Sequence, residues 1–141
     1  MAGYSGTPLS KKLGITSGCV VRVRRVPKDV NLPGLLDPMP DGARLTTRRA
    51  GRPADISILF CESAAELARQ LPRALDDIDS AGMVWVLWPK KSSARYAAGA
   101  KDLTENTVRA TALAQGVVDV KVCAVDETWS GLKLVYRRRD R

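Results

Sequence analysis

A strand pattern, a helix pattern and a second strand pattern follow one another in the middle of the chain. Residues 55–61 (DISILFC) and 83–88 (MVWVLW) are apolar enough to be strands buried on both faces of a sheet. Between them, Ser63 and Glu66 form a capping box, and apolar residues then recur at helical spacing, with Pro72 expected to kink or interrupt the helix. Because such a helix carries the chain back across the sheet, the two strands should be parallel, which predicts an α/β fold.

The first half of the chain adds two more strands and a proline-rich connection. Residues 19–25 (CVVRVRR) alternate apolar and basic side chains, which is the periodicity of a strand, and residues 43–48 (ARLTTR) form a short second strand. Between them, residues 27–42 contain four prolines, a density that allows at most one helical turn. We expect residues 1–8 to form an irregular arm, followed by a short helical turn that ends at Gly14.

The C-terminal part of the chain closes the predicted domain. Residues 89–101 (PKKSSARYAAGAK) are expected to form a loop, and a second capping pattern at 102–105 (DLTE) then begins another helix. The strand patterns 117–125 and 130–137 are too close in sequence for a crossover, so they should pair as an antiparallel hairpin, with 117–125 joining the parallel strands. We therefore predict a single Rossmann-like α/β domain over residues 1–141. Its mostly parallel sheet has about six strands, closed by the antiparallel C-terminal hairpin and followed by a basic tail at 138–141.

The residue types that the chain lacks exclude several kinds of site. There is no histidine, so Ser–His and Cys–His catalytic pairs and histidine metal sites are excluded. Cys19, Cys61 and Cys123 are far apart in sequence, which excludes a CxxC motif and a zinc knuckle. An odd number of cysteines without a secretory signal, in a chain with no apolar run of about 20 residues, indicates a reducing compartment. We predict a cytoplasmic protein that does not contact membranes and has no metal site.

The charge of the chain is strongly positive and unevenly distributed. Its net charge is +8, with an excess of seven basic residues in 11–52 and five in 82–141, but an acidic excess of four in 53–81. This pattern indicates opposed basic and acidic faces. The basic clusters could attract nucleic acid or an acidic protein, and solvation of strand-end side chains also explains them. These clusters are Arg22, Arg24 and Arg25; Arg48, Arg49 and Arg52; Lys90 and Lys91; and Arg137, Arg138, Arg139 and Arg141.

Several segments carry a resemblance to known families. Residues 71–89, a helix followed by a tryptophan-rich strand, are similar to a late segment of the class I methyltransferase fold, whose reversed last strand the hairpin 117–137 resembles. Over more of its length the chain resembles the bacterial domain-of-unknown-function family DUF3052. The resemblance implies a shortened methyltransferase-type Rossmann fold and carries no activity with it. The segments that resemble this family are 3–9 (GYSGTPL), 88–93 (WPKKSS), 102–105 (DLTE) and 118–132 (VDVKVCAVDETWSGL).

The cofactor motif of the methyltransferase fold is missing from the sequence. A dinucleotide or S-adenosylmethionine site needs glycines directly after the first strand, where the backbone approaches the ligand. Residues 24–29 instead read RRVPKD. The second strand should end in a carboxylate for the ribose hydroxyls, but it ends in Thr47, Arg48 and Arg49. We therefore predict that side chains fill the space of an adenosyl group and that the chain binds no cofactor.

The carboxyl ends of the predicted strands supply the candidate ligand-binding residues. Ligands of open α/β sheets lie at this edge, which Arg24 and Arg25, the pair Cys61–Glu62, and the segment 88–93 should reach. Charged and hydroxyl side chains there are suited to a phosphate or a carboxylate, and a solvated loop is the alternative. The predicted anion ligands are Lys90, Lys91, Ser92, Ser93, Arg24 and Arg25.

Four further residues are weaker candidates. Cys61 is expected to be a buried cysteine, with a catalytic thiol as the alternative: nearby lysines could lower its pKa toward a thiolate, although no histidine can act as its base. Asp126, in the hairpin turn, could do acid–base work or cap backbone donors. Trp88 and Trp129 could belong to the core or to a stacking surface, but Trp85 and Trp88 must face opposite sides of one strand. We therefore name no catalytic residue.

These features favour a binding module over an enzyme. The leading hypothesis is a non-catalytic Rossmann-like module whose basic strand-end surface holds an anionic small molecule or an acidic partner. One alternative is a small enzyme with a degenerate nucleotide- or methyltransferase-like site, with Lys90, Lys91 and Ser92 as ligand contacts. The other is a nucleic-acid-binding accessory protein that uses the arginine clusters, which a steep salt dependence of binding would reveal.

Overall fold

The computed structural model describes residues 6–49 and 51–141, and six strands of this part form one mixed sheet. The strands are β1 (Val20–Arg24), β2 (Arg44–Thr46), β3 (Ala54–Phe60), β4 (Ile78–Pro89), β5 (Val117–Ala124) and β6 (Trp129–Tyr136). Their order across the sheet is β2-β1-β3-β4-β6-β5. Strands β2, β1, β3 and β4 are parallel to their neighbours, and β6 is antiparallel to both β4 and β5. The predicted mostly parallel α/β sheet with an antiparallel C-terminal pair is confirmed.

The position of β5 differs from the prediction that this strand joins the parallel strands directly. Strand β6 lies between β4 and β5, which leaves β5 at the edge of the sheet. The burial of the two strands explains this order. Leu132, Leu134 and Gly131 of β6 are buried, whereas Val120 and Val122 of β5 are about half exposed. The more apolar strand therefore occupies the inner position, where both of its faces are covered.

Helices cover both faces of the sheet. Leu67 and Leu71 pack with Trp88 on one face, and Leu13 and Leu36 pack with Trp85 on the other. The prediction that Trp85 and Trp88 face opposite sides is therefore confirmed. The helices are α1 (Leu9–Lys12), α2 (Leu32–Leu36), α3 (Ala64–Asp76), α4 (Ala94–Ala98) and α5 (Glu105–Ala114), and a 3₁₀ turn follows at Arg138–Asp140. The first of these faces is covered by α3 and α5, and the second by α1, α2 and the segments around them.

Three local features differ from the sequence-based expectations. Helix α3 is not interrupted at Pro72 and continues to Asp76, because its buried apolar stripe runs past the proline on both sides. Strand β4 begins at Ile78, which the helical spacing had included in the helix. The connection after β4 was expected to be a loop, but it contains the one-turn helix α4. Residues 1–5 of the expected N-terminal arm lie outside the described residues. None of the described helices is long and apolar enough to cross a bilayer.

Candidate functional site

A cavity of about 960 Å³ opens at the carboxyl ends of the parallel strands. From β1 the chain turns to β2 on one side and then to β3 on the other, so the order of the sheet reverses between β1 and β3. Ligands of open α/β sheets bind in the crevice at such a reversal. The cavity is lined by the connection after β1 together with α2 (Asp29, Val30, Asn31, Gly34, Leu35), the end of β3 (Glu62), α4 and its C-cap (Ala94, Arg95, Ala98, Gly99) and the hairpin turn (Asp126, Thr128, Trp129). We call it the strand-end cavity.

Arg95 joins three walls of the strand-end cavity. Its Nη1 donates to both carboxylate oxygens of Glu62, at 3.3 and 3.2 Å, and its Nη2 donates to the carboxylate of Asp29. The guanidinium also lies over the ring of Trp129, 5.2 Å from the centroid. The hydrogen bond from Arg95 lowers the pKa of Asp29, and the same bond raises the pKa of Arg95. Arg95 therefore holds α4 against the ends of β1 and β3.

The hairpin turn forms a fixed wall of the cavity. Oδ1 of Asp126 accepts hydrogen bonds from the backbone N–H groups of Thr128 and Trp129, both at 2.8 Å. Trp129 is only 2% exposed and meets Phe60 edge-to-face, with 4.9 Å between ring centroids. Asp126 thus caps the turn, which was one of the two roles considered for it, and Trp129 belongs to the core while one part of it borders the cavity.

The local sequence explains why a helix forms after β4. The hydroxyl of Ser93 accepts a hydrogen bond from the backbone N–H of Tyr96 at 3.1 Å, which is the N-cap of α4, and donates to the carbonyl of Lys90 at 2.7 Å. The backbone N–H of Lys90 in turn donates to the carbonyl of Thr128 at 2.7 Å. Ser93 is therefore a buried capping residue, and it ties α4 to the hairpin turn that borders the cavity.

The predicted anion ligands do not line the strand-end cavity. Lys91 and Ser92 are exposed on the connection between β4 and α4, and Lys90 beside them is half-buried. The lining instead contains three carboxylates against the single guanidinium of Arg95. The cavity therefore has an excess of negative charge, in contrast to the basic strand-end surface expected from the sequence.

Arg24 and Arg25 lie at the end of β1, and both already have acidic partners. Nε and Nη2 of Arg24 donate to the carboxylate of Asp77 at 2.6 and 2.8 Å, and this bond raises the pKa of Arg24. Nη2 of Arg25 lies 3.4 Å from Oε1 of Glu66. Arg25 has φ +60°, the left-handed conformation that favours glycine. The turn after β1 therefore has glycine-like backbone geometry at a residue with a long side chain.

Cys61 and Trp88 are buried in the core. Cys61 is fully buried, and burial, followed by the charge of Glu66, raises the pKa of its thiol to about 12. The prediction of a buried cysteine is therefore confirmed, and the alternative, a thiolate whose pKa nearby lysines lower, is wrong. Trp88 is 5% exposed and packs on the α3 face of the sheet.

The sequence analysis did not identify the ion pairs of Arg95 with Asp29 and Glu62 in the cavity. Asp29 and Glu62 were placed near the right edge but were not chosen as site residues, and Arg95 was assigned to a loop. One signal for α4 was present: Ser93 stands at an N-cap position, and Gly99 follows the segment as a C-terminal signal. Recognising this short helix would have placed Arg95 one turn from the strand ends.

Most of the chain matches the model of a protein family. A family model described as "Protein of unknown function (DUF3052)" matches residues 10–138. No curated protein matches the chain.

Solved structures share the fold at low sequence identity. The magnesium protoporphyrin IX methyltransferase of Synechocystis PCC 6803 with bound S-adenosylmethionine aligns with a TM-score of 0.55 and 10% identity, over 92% of this chain and 74% of that chain. The tRNA methyltransferase TrmK of B. subtilis aligns with a TM-score of 0.51 and 11% identity, over 98% and 69%. This protein spans about half (52%) of the length of the chain in the S-adenosylhomocysteine-bound structure of the Synechocystis enzyme. The first two of these similarities establish a methyltransferase-like fold.

Proposed function

Because the chain belongs to the DUF3052 family, whose description names no reaction, we propose its function from the strand-end cavity: a non-catalytic module that binds a neutral or positively charged small molecule. The observation that carries this proposal is the position of the cavity. It lies at the reversal point of the sheet, its volume of about 960 Å³ suits a drug-sized ligand, and its walls are held by hydrogen bonds.

The charge of the cavity supports the class of ligand. Asp29, Glu62 and Asp126 contribute three negative charges, and Arg95 contributes one positive charge. An anionic ligand in this cavity would be repelled by the excess negative charge of these side chains, whereas a cation or a neutral polar molecule would not. The rim of Ala94, Ala98 and Leu35 supplies apolar contacts.

The hydrogen bonds of the carboxylates support the absence of catalysis. Asp29 and Glu62 accept from Arg95, and Asp126 accepts from two backbone N–H groups. Each carboxylate therefore already has a donor, and the lowered pKa of Asp29 makes it a weak base. No cysteine, lysine or tyrosine lines the described part of the cavity.

A second candidate function is methyl transfer from S-adenosylmethionine. The observation that favours it is the fold shared with a methyltransferase that has this cofactor bound. The sulfonium group of S-adenosylmethionine is positively charged, so an acidic cavity suits it. The missing glycines after β1 and the absence of a carboxylate at the end of β2 count against it.

Thermal-shift and calorimetric measurements with a matched pair of variants test the proposal. The panel contains S-adenosylmethionine and spermidine as cations, adenosine as a neutral compound and ATP as an anion. Ala98 and Ala97 are both exposed on α4, but only Ala98 lines the cavity, so Ala98→Trp should place an indole in it and Ala97→Trp should not. A ligand at 100 times its Kd stabilises the folded state by about 2.7 kcal/mol.

We expect a cation or adenosine to raise the Tm of the wild type and of Ala97→Trp but not of Ala98→Trp. Stabilisation that survives in Ala98→Trp, or no response to any cation or neutral compound, would refute the proposal. Turnover of S-adenosylmethionine blocked by Ala98→Trp would establish the second candidate. The anion site at Lys90 and Lys91 stays a prediction: if ATP alone binds and the double variant Lys90→Ala/Lys91→Ala abolishes that binding, this site replaces the cavity.

A further inference from the structure

A second cavity, of about 160 Å³, lies on the α3 side of the sheet, near the first residues of β1 and β3. It shares no lining residue with the strand-end cavity. Four of its lining residues are arginines: Arg22, Arg48, Arg49 and Arg52. We propose that this arginine cavity binds the phosphate group of a small molecule.

The order of the strands brings these arginines together. The neighbours of Arg22 in β1, Val21 and Val23, pack into the core on the opposite face, so Arg22 extends toward the α3 side. Arg48 follows β2 and Arg52 precedes β3, and both of these strands pair with β1. The connection from β2 to β3 must therefore pass β1, which places its arginines beside Arg22.

The acidic residues of the cavity neutralise these arginines only in part. The carboxylate of Asp77 accepts two hydrogen bonds from Arg24 and one from Ser57 at 3.0 Å, while Nη1 of Arg22 lies 3.6 Å away. Asp76, the other acidic lining residue, makes no ion pair with the four arginines in the described part of the chain.

Two of the arginines have free guanidinium groups. Arg52 lies 3.6 Å from Asp55 and donates to the carbonyl of Gly18. Within residues 6–49 and 51–141, neither Arg48 nor Arg49 has an ion pair or a side-chain hydrogen bond from its guanidinium. The four lining arginines and Arg24 therefore face three carboxylates, those of Asp55, Asp76 and Asp77, and the cavity has an excess of positive charge.

Arg22 also has an unsatisfied donor. Its Nε is buried and has no hydrogen-bond partner among the described residues, and its side chain is only 14% exposed. Buried donors in folded proteins nearly always have an acceptor, and those without one indicate an absent ligand or a functional group. An oxyanion supplies such acceptors, because the planar guanidinium matches phosphate with parallel N–H···O bonds.

The size of the cavity favours one phosphate group over a polymer. Its volume is about one sixth of that of the strand-end cavity, so it can enclose an anionic group but not an extended chain. Nucleic-acid binding instead requires a series of phosphate contacts over a longer surface. The predicted class of ligand is therefore inorganic phosphate or a phosphomonoester.

Titration with inorganic phosphate, followed by calorimetry at constant ionic strength, tests the proposal. The variant Arg48→Ala/Arg49→Ala removes two exposed cations from the arginine cavity. Its control, Arg138→Ala/Arg139→Ala, removes two exposed cations from the C-terminal turn, so the net charge of the two variants is the same. The variant Arg22→Lys keeps the charge but removes the Nε donor. Circular dichroism checks that every variant is folded.

We expect wild-type protein and the Arg138/Arg139 control to bind phosphate with affinities within twofold of each other. The Arg48/Arg49 variant and Arg22→Lys should each bind at least tenfold more weakly, which is about the effect of losing one charge-assisted hydrogen bond. In ¹⁵N spectra, the Nε–H signal of Arg22 should shift as phosphate is added. The Ala98→Trp variant should bind phosphate normally, which separates this proposal from the first.

Three results would overturn the proposal. The first is no phosphate binding by folded wild-type protein at about 10 mM, a concentration that would nearly saturate a site with a Kd of about 1 mM. The second is equal loss in the Arg138/Arg139 control. The third is that a short DNA duplex binds more tightly than phosphate and that the Arg48/Arg49 variant loses this binding. That result would make the cavity part of a nucleic-acid surface.

Discussion

Replacing Asp77 with alanine should destabilise the fold more than any single change at an exposed ion pair. The carboxylate of Asp77 is 6% exposed. It accepts hydrogen bonds from Nε and Nη2 of Arg24 at 2.6 and 2.8 Å and from the hydroxyl of Ser57 at 3.0 Å. These contacts connect the end of α3 to β1 and β3. Without the carboxylate, Arg24 and the Ser57 hydroxyl lose their hydrogen-bond acceptor, and Arg22 loses its ion-pair partner.

The magnitude follows from the exposure of the two partners. Removing one partner of a buried ion pair costs about 3–5 kcal/mol, because the other charge stays desolvated. The side chain of Arg24 is 21% exposed, so water can reach part of it, and we expect the lower end, about 3 kcal/mol. The pair of Glu105 and Arg109 on α5 is 44% and 34% exposed, and breaking it should cost about 0–1 kcal/mol.

Urea unfolding followed by circular dichroism measures the free energy of unfolding of each variant by linear extrapolation. The control is Glu105→Ala, which removes an acidic residue from an exposed pair. The double variant Arg24→Met/Asp77→Leu replaces both charges by apolar groups of similar length. It should be more stable than Asp77→Ala, because only Arg22, and no longer Arg24, is then left without its acidic partner.

Two results would refute this reasoning. A loss below about 1 kcal/mol in Asp77→Ala would mean that the pair contributes no more than an exposed one. A double variant no more stable than Asp77→Ala would mean that the loss does not come from the unpaired Arg24. The C-cap hydrogen bonds of the Asp77 backbone N–H to Ala74 and Leu75 are retained in both variants, so they cannot account for a difference.

Three further predictions concern titration and packing. NMR should show that the carboxyl of Asp29 titrates below its ordinary pKa of 3.8, and that Arg95→Ala returns it toward that value, because the hydrogen bond from Arg95 is the main cause of the shift; an unchanged pKa would contradict this. The thiol of Cys61 has its pKa raised from 9.0 to about 12, so only the unfolded chain ionises it between these values, and the free energy of unfolding should fall as pH rises above 9.0. Cys61→Ala should lack this contribution of at most about 1.4 kcal/mol per pH unit, and equal slopes would refute it. Gly82→Ala should destabilise the fold by about 1–3 kcal/mol, because its Cβ would lie 2.8 Å from a side-chain carbon, whereas Gly51→Ala has no atom within 4 Å and should be nearly neutral; calorimetric Tm values compare them.

The sequence alone determined the elements whose signals are local. The hydroxyl of Ser63 accepts from the backbone N–H of Glu66, as its capping box predicted. Helix α5 begins at the second predicted pattern, although its N-cap is Thr104 and Asp102 instead accepts from the backbone N–H of Ala64. The odd spacing of Trp85 and Trp88 predicted opposite faces, because the side chains of a strand alternate. Each of these inferences depends on residues within one turn or one strand, so no distant contact could change them.

Tertiary structure decided which strands are neighbours and which side chains meet. The hairpin was predicted correctly, but its spacing does not say which of its strands enters the sheet; burial of the apolar residues of β6 decides that. Arg95 is 33 residues from Glu62 and 66 residues from Asp29, and no local pattern relates them. They meet because parallel strands carry the residues after β1 and β3 to one edge, where α4 returns after β4. The charge of the strand-end cavity is therefore a property of the fold, and the net charge of +8 could not predict it.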